Sequence, residues 1–68
     1  MQIKVAPMGG EVRTFMLSDG ARVSDALAAA DLGDDGRDVR VNAEPATLTT
    51  PLRDGDVITL VNKVEGGK

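Results

Sequence analysis

The sequence predicts a two-layer α+β domain in which one helix covers one β-sheet. Three observations carry that prediction. Alternating apolar and polar residues stand at both ends of the chain, one apolar stripe at helical spacing lies between them, and 68 residues leave room for a single core. A chain of this size removes only about 60% of its unfolded surface from water, so a second domain is excluded. At 41% hydrophobic and 28% charged residues the composition is that of a globular chain, far from the charge-rich regime of disordered ones.

Ile3 and Val5 point one way and Gln2, Lys4 and Ala6 the other, which predicts a first strand over residues 2–6. Pro7-Met8-Gly9-Gly10 supplies a turn, and Glu11 to Leu17 resumes the β pattern with Phe15 and Leu17 on one face, so the first two strands form a hairpin. After Ser18-Asp19-Gly20, the residues Val23, Ala26, Leu27 and Ala30 recur at i, i+3, i+4 and i+7 and predict a helix of about two turns. Ser24 or Asp25 is placed to accept from first-turn N–H groups, and Gly33 to end the helix. Asp31 to Asp38 reads as an acidic loop and Val39-Arg40-Val41 as a short strand. Asn42 to Thr50, with Pro45, reads as an irregular connection, closed by the turn Asp54-Gly55-Asp56. Val57 to Val61 is a continuous apolar and β-branched run that suits a central strand, Ile58 and Leu60 facing one side and Val57, Thr59 and Val61 the other. The expected core is Ile3, Val5, Phe15, Leu17, Val23, Leu27, Leu48, Leu52, Ile58 and Leu60. Residues 1–64 form the domain, and 65–68, with Gly66-Gly67, a flexible tail.

The residue inventory excludes several functions. With no cysteine and no histidine the chain has neither a disulfide nor the commonest transition-metal ligands, and a serine or threonine nucleophile would lack its usual base. An enzyme is not expected. A net charge of −3 and 1% aromatic residues oppose nucleic acid binding, which needs clustered cations and stacking surfaces, and favour a basic protein partner. The longest apolar run, Ala26 to Ala30, is far short of the roughly 20 residues a bilayer requires, and Met1-Gln2-Ile3-Lys4 does not open a signal peptide, so no membrane is expected and the location is cytoplasmic. Asp54 and Asp56 could be imagined as an acid–base or metal pair, but Asp beside Gly is foremost a turn signal. Asp31, Asp34, Asp35 and Asp38 lack the spacing of a calcium loop and read as a solvated segment.

Taken in order, Val41-Asn42-Ala43-Glu44, then Leu52-Arg53-Asp54-Gly55-Asp56-Val57-Ile58-Thr59-Leu60-Val61, then Val64-Glu65-Gly66-Gly67 resemble the ThiS/MoaD sulfur carriers and the archaeal small ubiquitin-like modifiers. The opening Met1-Gln2-Ile3, Val5, a Gly-containing turn, Thr14 and Phe15 resemble the start of ubiquitin. The resemblance implies a ubiquitin-like β-grasp, a mixed four- to five-stranded sheet packed on one helix, with the diglycine as its working end. The carboxylate of Gly67 would be the reacting group, and Gly66 the slim residue that threads an activating enzyme's cleft. A free carboxylate is a poor electrophile. An adenylating enzyme, which binds the ATP that this chain does not, would convert it to an acyl-adenylate, open to attack by a sulfur donor or, through a cysteine, by a lysine.

The chain ends at Lys68, so Gly67 lies in a peptide bond and cannot be adenylated as written. The resemblance implies that a processing protease removes Lys68; the alternatives are that Lys68 is an addition to the natural chain, or that the diglycine is idle. Extended, Val64 to Gly67 projects about 13 Å. Met8 and Val61 fall where ubiquitin keeps its apolar recognition patch, and Arg40 is expected on the same face. The expected function is a modifier conjugated to target lysines, with thiocarboxylate formation and delivery to a sulfur-acceptor protein as one alternative and a non-conjugated interaction domain as another. Lys4, Lys63 and Lys68 are the lysines on which chains of the protein itself would build.

Overall fold

The structure, a computed structural model, describes residues 1–32 and 37–61. Its elements are β1 (Gln2–Pro7), β2 (Arg13–Met16), α1 (Val23–Ala29), β3 (Asp38–Val41), β4 (Glu44–Ala46) and β5 (Val57–Val61). They form a five-stranded sheet of order β2-β1-β5-β3-β4. β5 is central, parallel to β1 and antiparallel to β3, while β1–β2 and β3–β4 are antiparallel hairpins. A last strand lying beside the first, with one helix over the sheet, is the mixed β-grasp arrangement expected of this chain.

Alternation decides what each strand buries. Ile3 and Val5 of β1, Val39 of β3 and Ile58 and Leu60 of β5 turn toward α1, where Val23, Ala26, Leu27 and Ala30 meet them with Leu52 from the connection before β5. Ile58 and Leu60 are fully buried, each contributing about 1.5–3 kcal/mol through removal of apolar surface from water. Phe15 and Leu17 pack against this core while remaining partly exposed, because they lie on or next to the outermost strand.

Leu48 departs from expectation: it is 40% exposed and belongs to no core cluster. What the fold uses there is main chain. The Leu48 and Thr50 carbonyls accept from the N–H groups of Ser24 and Val23 at 3.0 Å each, so the 47–50 turn satisfies the first turn of α1. Neither Ser24 nor Asp25 caps the first-turn N–H groups as expected: Arg22 stands at the N-cap, and Asp25, in the first turn, reaches back to accept from the Arg22 N–H at 2.9 Å.

The helix ends before Gly33, which lies outside the described residues. α1 stops at Ala29, Ala30 caps it, and Asp31 takes the left-handed conformation at φ 59°. Leu32 N–H then bonds to Leu27 O at 2.8 Å and Asp31 N–H to Ala28 O at 3.0 Å, the paired bonds of a Schellman ending.

The segment read as irregular contains β4. Asn42 and Ala43, at φ 53° and 73°, form a two-residue turn with both central residues left-handed, and Val41 then faces Glu44 across a tight hairpin. The second strand is shorter than the 11–17 stretch that alternates, because Glu11 and Val12 belong to the turn region.

Candidate functional site

The face of the sheet turned away from α1 carries the residues expected to form a partner surface, and Val61, one of them, is the last residue of β5. Across the outer face, Ala6, Thr59, Arg40 and Pro45 form one continuous cross-strand row, since Ala6 pairs with Thr59, Thr59 with Arg40 and Arg40 with Pro45. Lys4 lies beside Val57 on one flank of that row and Asp38 beside Val61 on the other. Val57, Thr59 and Val61 are half-buried although no second layer of the described residues covers them. Their β-branched stems shield one another across the pleat.

Met8 follows β1 directly, is 53% exposed, and donates its N–H to the Leu60 carbonyl at 2.9 Å, which seats it at the end of β5. Of the expected partner-surface residues, Arg40 and Val61 thus share the outer face and Met8 stands at its margin. Ala6, Thr59 and Lys4 belong to the same surface and escaped sequence reasoning. Their parity was readable, but which strand lies beside which was not.

The charge of this surface differs from that of the chain. Among its strand positions Lys4 and Arg40 are cations and Asp38 the single carboxylate, so the net charge of −3 is carried elsewhere. The basic partner suggested by whole-chain charge therefore does not suit this face, which complements an apolar surface bearing carboxylates.

The start of β5 is held by side chains that might otherwise pass for chemistry. Asp54 accepts from Gln2 N–H at 2.7 Å, and Asp56 accepts from Arg53 N–H at 2.8 Å and from the Asn42 amide at 2.9 Å. Asn42 in turn accepts from Val57 N–H at 3.1 Å. Gly55, at φ 90°, donates to the Gln2 carbonyl at 2.8 Å, a conformation that disfavours any side chain there. Both carboxylates are thus engaged in shaping the turn, and the bonds tie β1, the β3–β4 turn and β5 together at one end of the sheet.

Gly66, Gly67 and Lys68, with Lys63, lie outside the described residues, as do Asp34 and Asp35. Asp31 and Asp38 fall at the helix end and the start of β3 respectively. Among the described residues no helix is long and apolar enough to cross a membrane, and no group of carboxylates is placed to hold a metal ion.

Comparison with known proteins places this geometry. The structure of SAMP1 from Haloferax volcanii superposes with a TM-score of 0.80 at 24% identity, over 98% of this chain and 100% of that one. A chain from the complex of subunits 1 and 2 of the molybdopterin-converting factor of Helicobacter pylori gives 0.72 at 23%, over 98% and 100%. The ubiquitin of Caldiarchaeum subterraneum gives 0.65 at 23%, over 98% of each chain. These likenesses establish the ubiquitin-like β-grasp fold. No curated protein matches the sequence. The profile of the ThiS family matches residues 5–67, from the first strand through the second glycine of the pair, and the chain belongs to that family, whose members are small protein carriers and modifiers rather than enzymes.

Proposed function

We propose that this protein is a carrier activated at its C-terminal end: removal of Lys68 exposes the carboxylate of Gly67, an adenylating enzyme activates it, and it is then conjugated to lysines of target proteins. The observation that carries this reading is the extent of the family match, which runs to residue 67 and leaves Lys68 beyond it. In the activation step a carboxylate oxygen attacks the α-phosphorus of ATP and pyrophosphate leaves. In transfer, an amine attacks the acyl carbon, directly or after passage through an enzyme thiol, and AMP and a proton are released.

The fold supports the role by position. Val61 ends the central strand, and six further residues bring the chain to Gly67, a reach of at most about 20 Å. On this proposal the activating enzyme docks on the outer face, against Met8, Arg40 and Val61, while Gly66 and Gly67 enter its cleft, where the missing side chains permit close main-chain approach. Such an encounter takes place in the cytoplasm, where ATP and the processing protease are at hand.

The family match itself favours a second fate for the same activated carboxylate, sulfur transfer to give a C-terminal thiocarboxylate for an acceptor protein. The small archaeal modifier protein 1 of Haloferax volcanii, similar in fold, favours conjugation. Intact-mass measurement of the protein from its own cells, with sequencing of the C-terminal peptide, separates the outcomes. Termination at Gly67 with isopeptide linkage to lysine supports modification. Termination at Gly67 with one oxygen replaced by sulfur supports sulfur carriage. Retention of Lys68 on every molecule overturns both and leaves an interaction domain.

A further inference from the structure

The two edges of the sheet are finished differently. At one edge β4 is three residues long and contains Pro45, which has no N–H to offer. At the other, β2 contains no proline, and among the described residues nothing pairs with its outer side. The direction of its free groups follows from the hairpin. Met1 and Leu17 exchange hydrogen bonds in both directions, so Leu17, Phe15 and Arg13 aim their backbone groups at β1. Thr14 and Met16 aim theirs outward, and pairing with a second strand would extend the same alternation back to Val12, which precedes β2 in the single chain.

We infer that β2 is a self-pairing edge, through which two copies of this chain associate antiparallel about a two-fold axis at Thr14 and join their sheets into one. With Thr14 opposite Thr14 of the second copy, the outward N–H and C=O groups meet in reciprocal bonds there and between Val12 and Met16 at either end. The side chains agree with that register. On the outer face Val12 and Met16, 60% and 75% exposed in the single chain, come opposite each other, and threonine meets threonine at the axis. On the helix side Arg13 comes opposite Phe15, a cation over an aromatic ring.

A shift to an axis at Arg13 would set two guanidinium groups against each other, and a shift to Phe15 would leave Val12 opposite Ser18. Electrostatics is permissive too. Glu11 and Arg13 offset one another at this edge, although each copy carries a net −3. An isologous pairing of this kind closes on itself, so it yields a dimer and not a fibre.

The contact is short. A ladder of this length buries less than the roughly 1,200 Å² of standard interfaces, so a dissociation constant between about 100 μM and 1 mM is expected. Arg40, Val61 and β5 lie away from the β2 edge, and the dimer leaves them open.

The test is sedimentation of the full chain over a concentration series reaching about 1 mM, with amide chemical shifts followed in parallel. The expected result is a monomer–dimer equilibrium whose concentration-dependent shifts centre on Val12 to Met16. Thr14→Pro removes an outward N–H and none of the β1–β2 bonds, and should weaken association about tenfold. Met16→Lys places a charge opposite Val12 and should do the same. Both variants should unfold at the temperature of the parent chain, and if Thr14→Pro fails to do so, Met16→Lys alone decides. A protein that stays monomeric to about 1 mM overturns the inference. So does a dimer that neither variant weakens, or an edge that pairs only with a foreign extended peptide.

Discussion

At the scale of single residues, backbone conformation matters as much as side-chain chemistry. Asn42 is suited to the left-handed conformation it adopts, and it repays the position by bridging Asp56 and Val57. Ala43, at φ 73°, gains nothing comparable. Replacing Ala43 with Gly produces the Asn-Gly pair that such turns prefer, and is expected to stabilise the fold by about 0.5–1 kcal/mol, raising the thermal midpoint by roughly 2–8 °C. Circular dichroism melting checks it, and an unchanged or lowered midpoint would contradict the turn geometry. On the proposed function Gly67 makes the opposite case, a residue that serves a partner. In the protein with Lys68 removed, Gly67→Ala should leave melting unchanged while reducing ATP–pyrophosphate exchange by the cognate activating enzyme about 100-fold, since a methyl at the reacting end misplaces the carboxylate. Exchange at the parent rate would refute activation at this position.

At the scale of elements, α1 is held mainly from outside itself. Seven helical residues are too few for stability in water, and its first N–H groups are satisfied by carbonyls of Thr50 and Leu48, far away in sequence. A peptide spanning residues 21–32 should therefore show essentially no helix by circular dichroism, and substantial helicity would mean that local propensity, not packing, holds it. The apolar stripe from Val23 to Ala30 was legible because helical periodicity is a local property. The ending was not. Asp31 takes the left-handed position that glycine usually fills, and composition alone pointed to Gly33. β4 escaped for a related reason: three residues containing a proline show no alternation, and the strand exists because the Asn42-Ala43 turn folds it back onto β3.

At the scale of the molecule, one thin core supports everything. Domains of this size net only about 3–5 kcal/mol, while deleting a buried leucine side chain costs about 2–5 kcal/mol. Leu60→Ala, at the centre of the sheet and fully buried, should therefore remove most of the stability at room temperature and shift the unfolding midpoint strongly downward. Urea titration checks this, and a midpoint within reach of the parent value would show that the core relaxes around the loss. The proposed carrier function fits so small a body, because its chemistry needs no pocket and no catalytic side chain, only a sheet to be recognised and a terminal carboxylate.

The sequence by itself determined the facing of β1 and β5, inward at Ile3, Val5, Ile58 and Leu60 and outward at Lys4, Ala6, Val57, Thr59 and Val61, together with the helical stripe and the Asp54-Gly55-Asp56 turn. These are properties of neighbouring residues, set by backbone periodicity and turn chemistry. Only the tertiary structure decided that β5 lies between β1 and β3, that Ala6, Thr59 and Arg40 form one row, and that among the described residues the β2 edge is left unpaired while Pro45 blunts the other. Strand order is chosen by long-range packing of the whole core, and no local pattern records it.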